Sequence, residues 1–259
     1  MRLTVFASGS TGNCALLEAG GHRFLLDAGL SAKAIREALC GAGCSLSELS
    51  GILITHEQSD HISGLAVLCR RDPLTVYAPG TVASHLSWSF PGVDVCLHRV
   101  TPEQPFAVGG VTLCCFPTPH DTPQSVGWRV EAEDGVFALA TDTGCVTDTM
   151  RQYLAGADIA VIEANHDEQM LRYGPYPAAL KRRVLSEQGH LSNANCAVLA
   201  RELAASGTRH IVLGHLSRQN NRPQLAREAV EPALAGFDTR LYIAPEKGAL
   251  VVEETPCFA

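Results

Sequence analysis

Imidazole and carboxylate side chains are concentrated in one short segment of the chain. His56, Asp60 and His61 lie within six residues, directly after the apolar run Gly51 to Ile54. Imidazole nitrogens and carboxylate oxygens are the ligand types that bind Zn, Fe or Mn ions. Because the end of a strand is anchored while the following loop can direct several side chains to one point, this segment predicts a metal centre.

Further His and Asp residues occupy the same position after three other apolar runs. They are His120 after Val111 to Phe116, Asp142 after Phe137 to Ala140, and His215 after His210 to Leu213. Any one of them alone is equally well explained by the preference of turns for polar residues and glycine. A chance scatter of histidines would not follow strand ends four times, so the four segments together predict one shared metal site.

The elements that must position these residues are short and rich in strands. Apolar and β-branched runs predict twelve strands, at Leu3 to Ala7, Cys14 to Glu18, Arg23 to Leu26, Ile52 to Thr55, Thr75 to Tyr77, Val111 to Phe116, Val126 to Glu131, Val136 to Ala140, Ile159 to Ile162, Ile211 to Leu213, Leu241 to Ile243 and Leu250 to Val252. Helical periodicity is clearest at Ser31 to Leu39, at Ser192 to Ala205 and after Pro223. This pattern suits two sheets packed face to face with helices outside.

The composition is that of an ordinary globular protein. The chain has 259 residues, 46% of them hydrophobic and 18% charged, and no linker or repeat divides it, so we expect a single domain over residues 1–259. No apolar stretch approaches the roughly 20 residues that cross a bilayer, and no signal segment is evident. We therefore expect a cytoplasmic protein with no membrane partner, whose ten scattered cysteines are mostly reduced and buried.

The order of the candidate ligands resembles that of the metallo-β-lactamase superfamily. The pattern H-x-x-x-D-H is followed by a His, by the Asp of T-D-T-G and by a last His, and the resemblance spans nearly the whole chain. It implies an α/β (α+β) fold, the αββα four-layer sandwich. It also implies that the first metal is held by His56, Gln58 and His120 and the second by Asp60, His61 and His215, with Asp142 between them.

Several additional motifs narrow the resemblance to the YycJ-like (WalJ-like) branch. These are Ser8 to Cys14, Asn165 to Asp167, Gly189 to Asn193, and Leu213 to Ser217 with Asn220 and Asn221. The resemblance implies a metal-dependent nuclease or, more generally, a hydrolase. The Gly-His segment is also similar to one in ribonuclease Z, which implies that His190 assists phosphodiester cleavage, against the alternative that it only lies near a helix start.

The remaining candidates are expected to contact substrate or to support the metal ligands, and they are Ser8, Ser10, Asn13, His166, Asp167, Ser217, Arg218 and Asn221. For the Ser8 to Asn13 segment a simple glycine-permitted turn is an equal alternative, and for His166 and Asp167 an ordinary loop remains open. Cations near the site could bind nucleic acid, and Arg218 and Arg222 are favoured. For Lys181 to Arg183 a solvated helix face is the preferred interpretation.

Gln58 departs from the family pattern, which usually has His at this position. A neutral amide oxygen is a weaker ligand for Zn than an imidazole, so the first metal site is expected to be weakened. The cofactor is therefore one or two divalent ions of Zn, Mn or Fe.

A metal-dependent phosphodiesterase or nuclease, an exonuclease acting on DNA or RNA, is the function we expect. In it a metal-bound hydroxide, oriented by Asp60, attacks phosphorus, and His190 assists the departing oxygen. Two alternatives stay open: a hydrolase of small thioesters or lactones on the same fold, and a non-catalytic metal-binding protein. The net charge of −7 argues against a protein that coats nucleic acid non-specifically.

Overall fold

The computed structural model describes residues 1–72 and 74–254 of the chain. The described residues form fourteen strands: β1 (Arg2–Ala7), β2 (Cys14–Ala19), β3 (His22–Leu26), β4 (Gly51–Leu53), β5 (Val76–Pro79), β6 (Leu97–Val100), β7 (Phe106–Val108), β8 (Val111–Pro117), β9 (Val126–Ala132), β10 (Gly135–Ala140), β11 (Ile159–Glu163), β12 (His210–Gly214), β13 (Arg240–Ile243) and β14 (Leu250–Glu253). They also form nine α-helices: α1 (Ala32–Gly41), α2 (Ser59–Ile62), α3 (Leu65–Arg71), α4 (Gly80–Ser89), α5 (Asp148–Leu154), α6 (Glu168–Tyr173), α7 (Ala178–Val184), α8 (Asn193–Ala205) and α9 (Pro223–Val230). The twelve predicted strands are all present; β6 and β7 are additional.

The strands form two seven-stranded sheets within the described residues. One sheet has the order β14-β1-β2-β3-β4-β5-β6 and the other the order β13-β12-β11-β10-β9-β8-β7. In the first sheet β3 to β6 are parallel, and in the second β10 to β13 are parallel. Each sheet therefore combines an antiparallel part with a parallel part, and the parallel strands are joined through helices.

Three apolar clusters define the layers of the fold. The inner faces of both sheets bury side chains such as Phe24, Leu113 and Trp128 against one another. On the outer face of the first sheet, α1, α3 and α4 bury a second cluster, and on the outer face of the second sheet α5, α8 and α9 bury a third. The order is helix, sheet, sheet, helix, so the αββα sandwich expected from the resemblance is confirmed.

The starts of the predicted helices follow from their capping residues. The hydroxyl of Ser31 accepts a hydrogen bond from the Ala34 amide at 3.3 Å before α1, and that of Ser192 accepts from the Asn195 amide at 3.3 Å before α8. Such bonds satisfy amides that the first helical turn leaves without a partner. Pro223 opens α9, where its missing N–H costs nothing.

The carboxyl ends of several strands meet at one edge of the sandwich. In the second sheet β8, β10, β11 and β12 all run in the same direction, because β8 and β10 are each antiparallel to β9. Hydrogen bonds connect the sheets near this edge: for example, the indole N–H of Trp128 donates to the Ile54 carbonyl at 3.2 Å, and the Val126 amide donates to the Thr55 carbonyl at 3.1 Å. The loops after β4, β8, β10 and β12 are thus held on a common rim.

The nine cysteines among the described residues are free thiols, and seven of them are buried. This confirms, for this part of the chain, the expectation that the cysteines are mostly reduced and buried. No helix among residues 1–72 and 74–254 has both the length and the apolar character needed to span a bilayer.

Candidate metal centre

The candidate ligands converge on the rim as predicted. His56, His61, His120, Asp142 and His215 are all buried. The Oδ2 atom of Asp142 lies 3.3 Å from Nε2 of His61, and its Oδ1 atom lies 3.2 Å from Nδ1 of His215 and 4.0 Å from Nε2 of His120. The His56 and His120 ring centroids are 5.3 Å apart. Four separate stretches of chain therefore surround one small volume.

The backbone at the strand ends directs these side chains inward. Asp142 and His215 adopt left-handed conformations with φ of 55° and 54°, and Asp27, after β3, does so with φ of 55°. Asp, Asn and His are the non-glycine residues that tolerate this region best, although it still costs free energy. Such conformations persist where the surrounding structure enforces them and are concentrated at functional sites.

Atoms without hydrogen-bond partners mark the centre of the cluster. Within the described residues, Nε2 of His56, His120 and His215 and both carboxylate oxygens of Asp142 are buried and lack a partner. Burying such polar groups uncompensated costs free energy, and a bound cation would compensate all of them. Two sets of donors, His56–His61–Asp142 and Asp60–His61–His215, each lie within 4.8 Å. The donors present therefore fit divalent ions such as Zn, Mn or Fe.

The imidazoles of the cluster have opposite pKa shifts. Burial, reinforced by the charge of His61, lowers the pKa of His56 to about 3. Burial also lowers the pKa of His61, but the charges of Asp27 and Asp142 outweigh it and raise the net value to about 10. For His215, burial is likewise outweighed by the charge of Asp142 and by the nearby carboxylates of Asp60 and Glu163, so its pKa lies well above the usual range. The carboxylates thus concentrate positive charge at His61 and His215.

Asp27 is a supporting residue that the sequence analysis missed. Its carboxylate accepts hydrogen bonds from the Thr55 amide at 2.8 Å, from the Thr55 hydroxyl at 2.9 Å and from Nδ1 of His61 at 2.7 Å. These contacts fix the ring of His61 with Nε2 toward the cluster. A signal was present, because Asp27-Ala28-Gly29 follows β3 in the same way that Asp142-Thr143-Gly144 follows β10.

Glu163, at the end of β11, is the second supporting residue that was missed. It is fully buried, and its Oε1 atom lies 2.8 Å from Nδ1 of His190 and 2.9 Å from Nδ1 of His215. Its Oε2 atom accepts hydrogen bonds from the Thr143 and Leu191 amides, each at 3.0 Å. Glu163 could join His190, His215 and Asp142 around an ion. Because both of its oxygens already accept hydrogen bonds, however, we assign it an orienting role. A glutamate ending an apolar strand was the available signal.

His190 lies beside the cluster. Its ring centroid is 5.1 Å from that of His120 and 5.3 Å from that of His215. Burial lowers its pKa, but the charge of Glu163 and the hydrogen bond to it raise the net value above 6.5. His190 also lines a cleft together with Asp121 and Ser217, and since Nδ1 is occupied by Glu163, Nε2 is the ring nitrogen available to a ligand there.

Asp60 lies on α2, and Gln58 is the N-cap residue of that helix. The Oδ2 atom of Asp60 is 3.6 Å from Nε2 of both His61 and His215. Gln58 is half-buried, and its backbone carbonyl accepts a hydrogen bond from the His61 amide at 2.9 Å. Ligation by the Gln58 side chain stays a prediction.

The Ser8 to Asn13 segment contacts the cluster directly. The side-chain nitrogen Nδ2 of Asn13 lies 3.0 Å from Nε2 of His61 and 3.4 Å from Oδ2 of Asp60. The Ser8 hydroxyl accepts a hydrogen bond from the backbone amide of His215 at 2.8 Å. Ser10 is exposed and lines a cleft with His190. This segment therefore does more than form a turn: it supports His61 and His215.

The other sequence candidates occupy varied positions. His166 is buried, with neither ring nitrogen bonded to any described residue, and Asp167 caps α6 by accepting from the Met170 amide at 2.8 Å. Ser217 is buried at the cleft beside His190, and Arg218 pairs with Glu246 at 2.9 Å. Asn221 is buried and exchanges hydrogen bonds with Asn193.

The basic residues near α7 and α9 also have distinct environments. Arg222 is exposed at the N-cap of α9. Lys181 donates a hydrogen bond to the Arg172 carbonyl, whereas Arg183 pairs with Asp121 and lines the cleft beside His190. A solvated helix face, the preferred interpretation for Lys181 to Arg183, thus does not describe Arg183 fully, because the fold brings it next to Asp121.

Comparison with known proteins agrees with this geometry. Residues 22–216 match the β-lactamase superfamily domain. The chain is 38% identical over 237 residues to exodeoxyribonuclease YycJ of Bacillus anthracis, covering 90% of this chain and 89% of that protein. It is 37% identical over 245 residues to exodeoxyribonuclease WalJ of Streptococcus pneumoniae, covering 92% and 89%.

A solved structure shares the fold at low sequence identity. The metallo-β-lactamase fold protein YhfI from Bacillus subtilis superposes with a TM-score of 0.72 at 18% identity, covering 97% of this chain and 99% of that one. The matched domain, the relatives that span most of the chain and the αββα architecture lead to one assignment: the chain belongs to the metallo-β-lactamase superfamily.

Proposed function

We propose that this protein is a metal-dependent phosphodiesterase that degrades nucleic acid from a strand end, with DNA as the expected substrate. The proposal depends above all on the buried imidazole nitrogens and carboxylate oxygens that converge without partners on one rim. Two relatives that match about nine-tenths of the chain are named exodeoxyribonucleases, which supports the choice of substrate. The competing function is hydrolysis of a small thioester or lactone.

The residues that we propose as metal ligands are those predicted from the sequence: His56, Gln58, Asp60, His61, His120, Asp142 and His215. Zn, Mn or Fe suits this set of nitrogen and oxygen donors. Divalent ions bound here would supply a nucleophile at neutral pH and Lewis-acid stabilisation of anionic phosphate oxygens.

Asp60 is suited to orient the attacking water. Its side chain is 19% exposed and therefore accessible to water, while its Oδ2 atom lies 3.6 Å from Nε2 of both His61 and His215. The side-chain amide of Asn13 donates a hydrogen bond to Oδ2 of Asp60 at 3.4 Å and so restrains the carboxylate. A restrained, partly exposed carboxylate can accept a hydrogen bond from water and fix its direction of approach.

His190 is suited to protonate the departing oxygen. Glu163 accepts the hydrogen bond from Nδ1 at 2.8 Å, which fixes the ring and leaves Nε2 to carry a proton toward the cleft. General acid catalysis of this kind contributes about 10²- to 10⁴-fold to the rate. Glu163 also bonds His215 and therefore couples this acid to the metal centre.

The test compares substrates and two variants. Metal-loaded protein is assayed on end-labelled DNA, on end-labelled RNA and on a panel of thioesters. We expect His190→Ala to lower kcat on DNA by about 10²-fold or more with little change in KM. Asp238→Asn, at an exposed loop position away from the rim, is the control. Faster turnover of thioesters than of DNA would overturn the proposal, and metal binding without any turnover would indicate a non-catalytic protein.

A further inference from the structure

A cavity of about 120 Å³ opens beside His190 and is not part of the metal centre. One wall comes from the strand-end loops and includes the buried Ser217, and the other comes from α7 and the loop before it. Asp121, which follows His120, lies at the boundary between this cavity and the metal centre. A group seated in the cavity would therefore be adjacent to His190.

The outer wall presents an aromatic ring in a restrained loop. Tyr176 lies between Pro175 and Pro177, and Pro177 is the N-cap of α7. Proline fixes its own φ and restricts the residue before it, so the Pro-Tyr-Pro segment has few conformations. Tyr176 and Leu180, both half-buried, line the cavity together. They form an apolar wall that is already in place before a ligand binds.

A guanidinium group from α7 also lines this cavity. Arg183 pairs with Asp121 and remains 56% exposed, so part of its donor set is free to bind an anion. Asp121 thus holds a cation one residue from the ligand His120.

We propose that this cavity binds the terminal nucleotide of the strand, with its base against Tyr176 and Leu180 and its phosphate near Arg183. A planar base on an aromatic ring and a phosphate on a guanidinium are favourable contacts that do not depend on sequence. The inference rests on the proposed function, because it identifies the substrate that would reach His190. Occupation of the cavity would place the adjoining phosphodiester at the metal centre and so favour cleavage at strand ends.

The test uses single-stranded oligonucleotides that differ only in the terminal base. One carries a normal terminal nucleotide, and the other carries an abasic sugar at the same end. Tyr176→Ala is expected to lower kcat/KM on the normal end about tenfold and on the abasic end by less than about twofold. Tyr176→Phe keeps the ring and is expected to retain the preference. Tyr173→Ala removes an exposed ring that does not line the cavity, so it is the matched control.

Two outcomes would overturn the inference: an equal loss on both ends in Tyr176→Ala, or no loss on either. Equilibrium binding of the same oligonucleotides to metal-free protein gives an independent measurement, in which Tyr176→Ala abolishes any preference for the base-bearing end. If native metal-loaded protein hydrolyses no phosphodiester, including bis(p-nitrophenyl) phosphate, the proposed function fails. The binding measurement then still decides whether the cavity recognises a terminal base.

Discussion

The two halves of the metal centre are supported by different kinds of partner. In the carboxylate-backed half, made of Asp60, His61 and His215, the Nδ1 atoms of both histidines bond to buried carboxylates, Asp27 at 2.7 Å and Glu163 at 2.9 Å.

The neutral half is made of His56, Gln58 and His120, and its histidines bond to uncharged groups. Nδ1 of His56 is hydrogen-bonded to the Thr55 hydroxyl at 3.0 Å, and Nδ1 of His120 to the Gly189 carbonyl at 3.2 Å. A carboxylate partner raises the basicity of an imidazole ligand and fixes its orientation. We therefore predict that the carboxylate-backed half would hold an ion more tightly than the neutral half.

Removing the residue shared by both halves has the largest expected effect. Asp142→Asn replaces a buried carboxylate by a neutral amide that still tolerates the left-handed backbone. We expect both ions to be weakened and turnover to fall by at least about 10³-fold, because the ions supply the main stabilisation of the transition state. Elemental analysis and the DNA assay measure the two effects. Retention of two ions per chain would contradict the proposal that Asp142 is a ligand shared by both halves.

Weakening one half alone tests the asymmetry directly. Asp27→Asn keeps the size of the side chain at the left-handed position but removes the charge that faces His61. We expect the affinity for one ion to fall by about 10- to 100-fold and that for the other to change little. Metal titration with a chromophoric chelator measures both constants. An equal loss at the two halves would show that they act as one unit.

Proton release on metal binding distinguishes the halves in another way. In metal-free protein the pKa of His61 is about 10 and that of His215 is well above the usual range, so both are protonated at pH 7, whereas His56, with a pKa of about 3, is neutral. A ligand must bind in its neutral form. Affinity at the carboxylate-backed half should thus rise about tenfold per pH unit for each proton released, up to about pH 10.

The raised pKa values also fix the sign of the stability effect. A group whose pKa is raised on folding stabilises the fold fully below its unfolded value of about 6.5, and that contribution is lost as pH rises toward about 10. Metal-free protein should therefore have a lower Tm at pH 9 than at pH 7.

The protons released when metal binds are counted by calorimetric metal titrations in buffers of different ionisation enthalpy. Equal release at both halves would contradict the assignment.

Restoring an imidazole to the neutral half has the smallest expected effect. Gln58→His adds a nitrogen donor at the N-cap of α2. We expect the weaker ion to gain on the order of tenfold in affinity, with the tighter ion unchanged. Metal content after dialysis provides the measurement. A full pair of ions in the native chain, with no change in the variant, would refute the idea that Gln58 weakens this half.

The convergence of the candidate ligands could be predicted from sequence because each of these residues is a local signal. An apolar run followed by His or Asp and a turn identifies His56, His120, Asp142 and His215 without knowledge of the fold. The supporting residues are different, because their role depends on distant partners. Glu163 bonds His190 and His215, which lie 27 and 52 positions away, and no local pattern shows that contact.

The same reasoning explains which elements escaped prediction. The strand β6 is partly exposed and β7 is three residues long, so neither has a clear alternation of buried side chains. Among the helices whose bounds were not predicted, α6 and α7 each bury a single residue and therefore lack a continuous apolar face. Helix α7 carries Arg183, whose position next to Asp121 comes from the fold and not from the basic run itself.

The left-handed backbone at Asp27, Asp142 and His215 has a consequence for attempts to make this protein more heat-resistant. Each of these residues stores a backbone cost on the order of 1–3 kcal/mol that glycine would relieve. A selection that rewards only survival of heating would therefore favour glycine at any of these positions where the relief exceeds what the side chain contributes, such as the three hydrogen bonds that Asp27 accepts. Such a selection would enrich sturdy but inactive molecules, so any screen must score turnover together with melting.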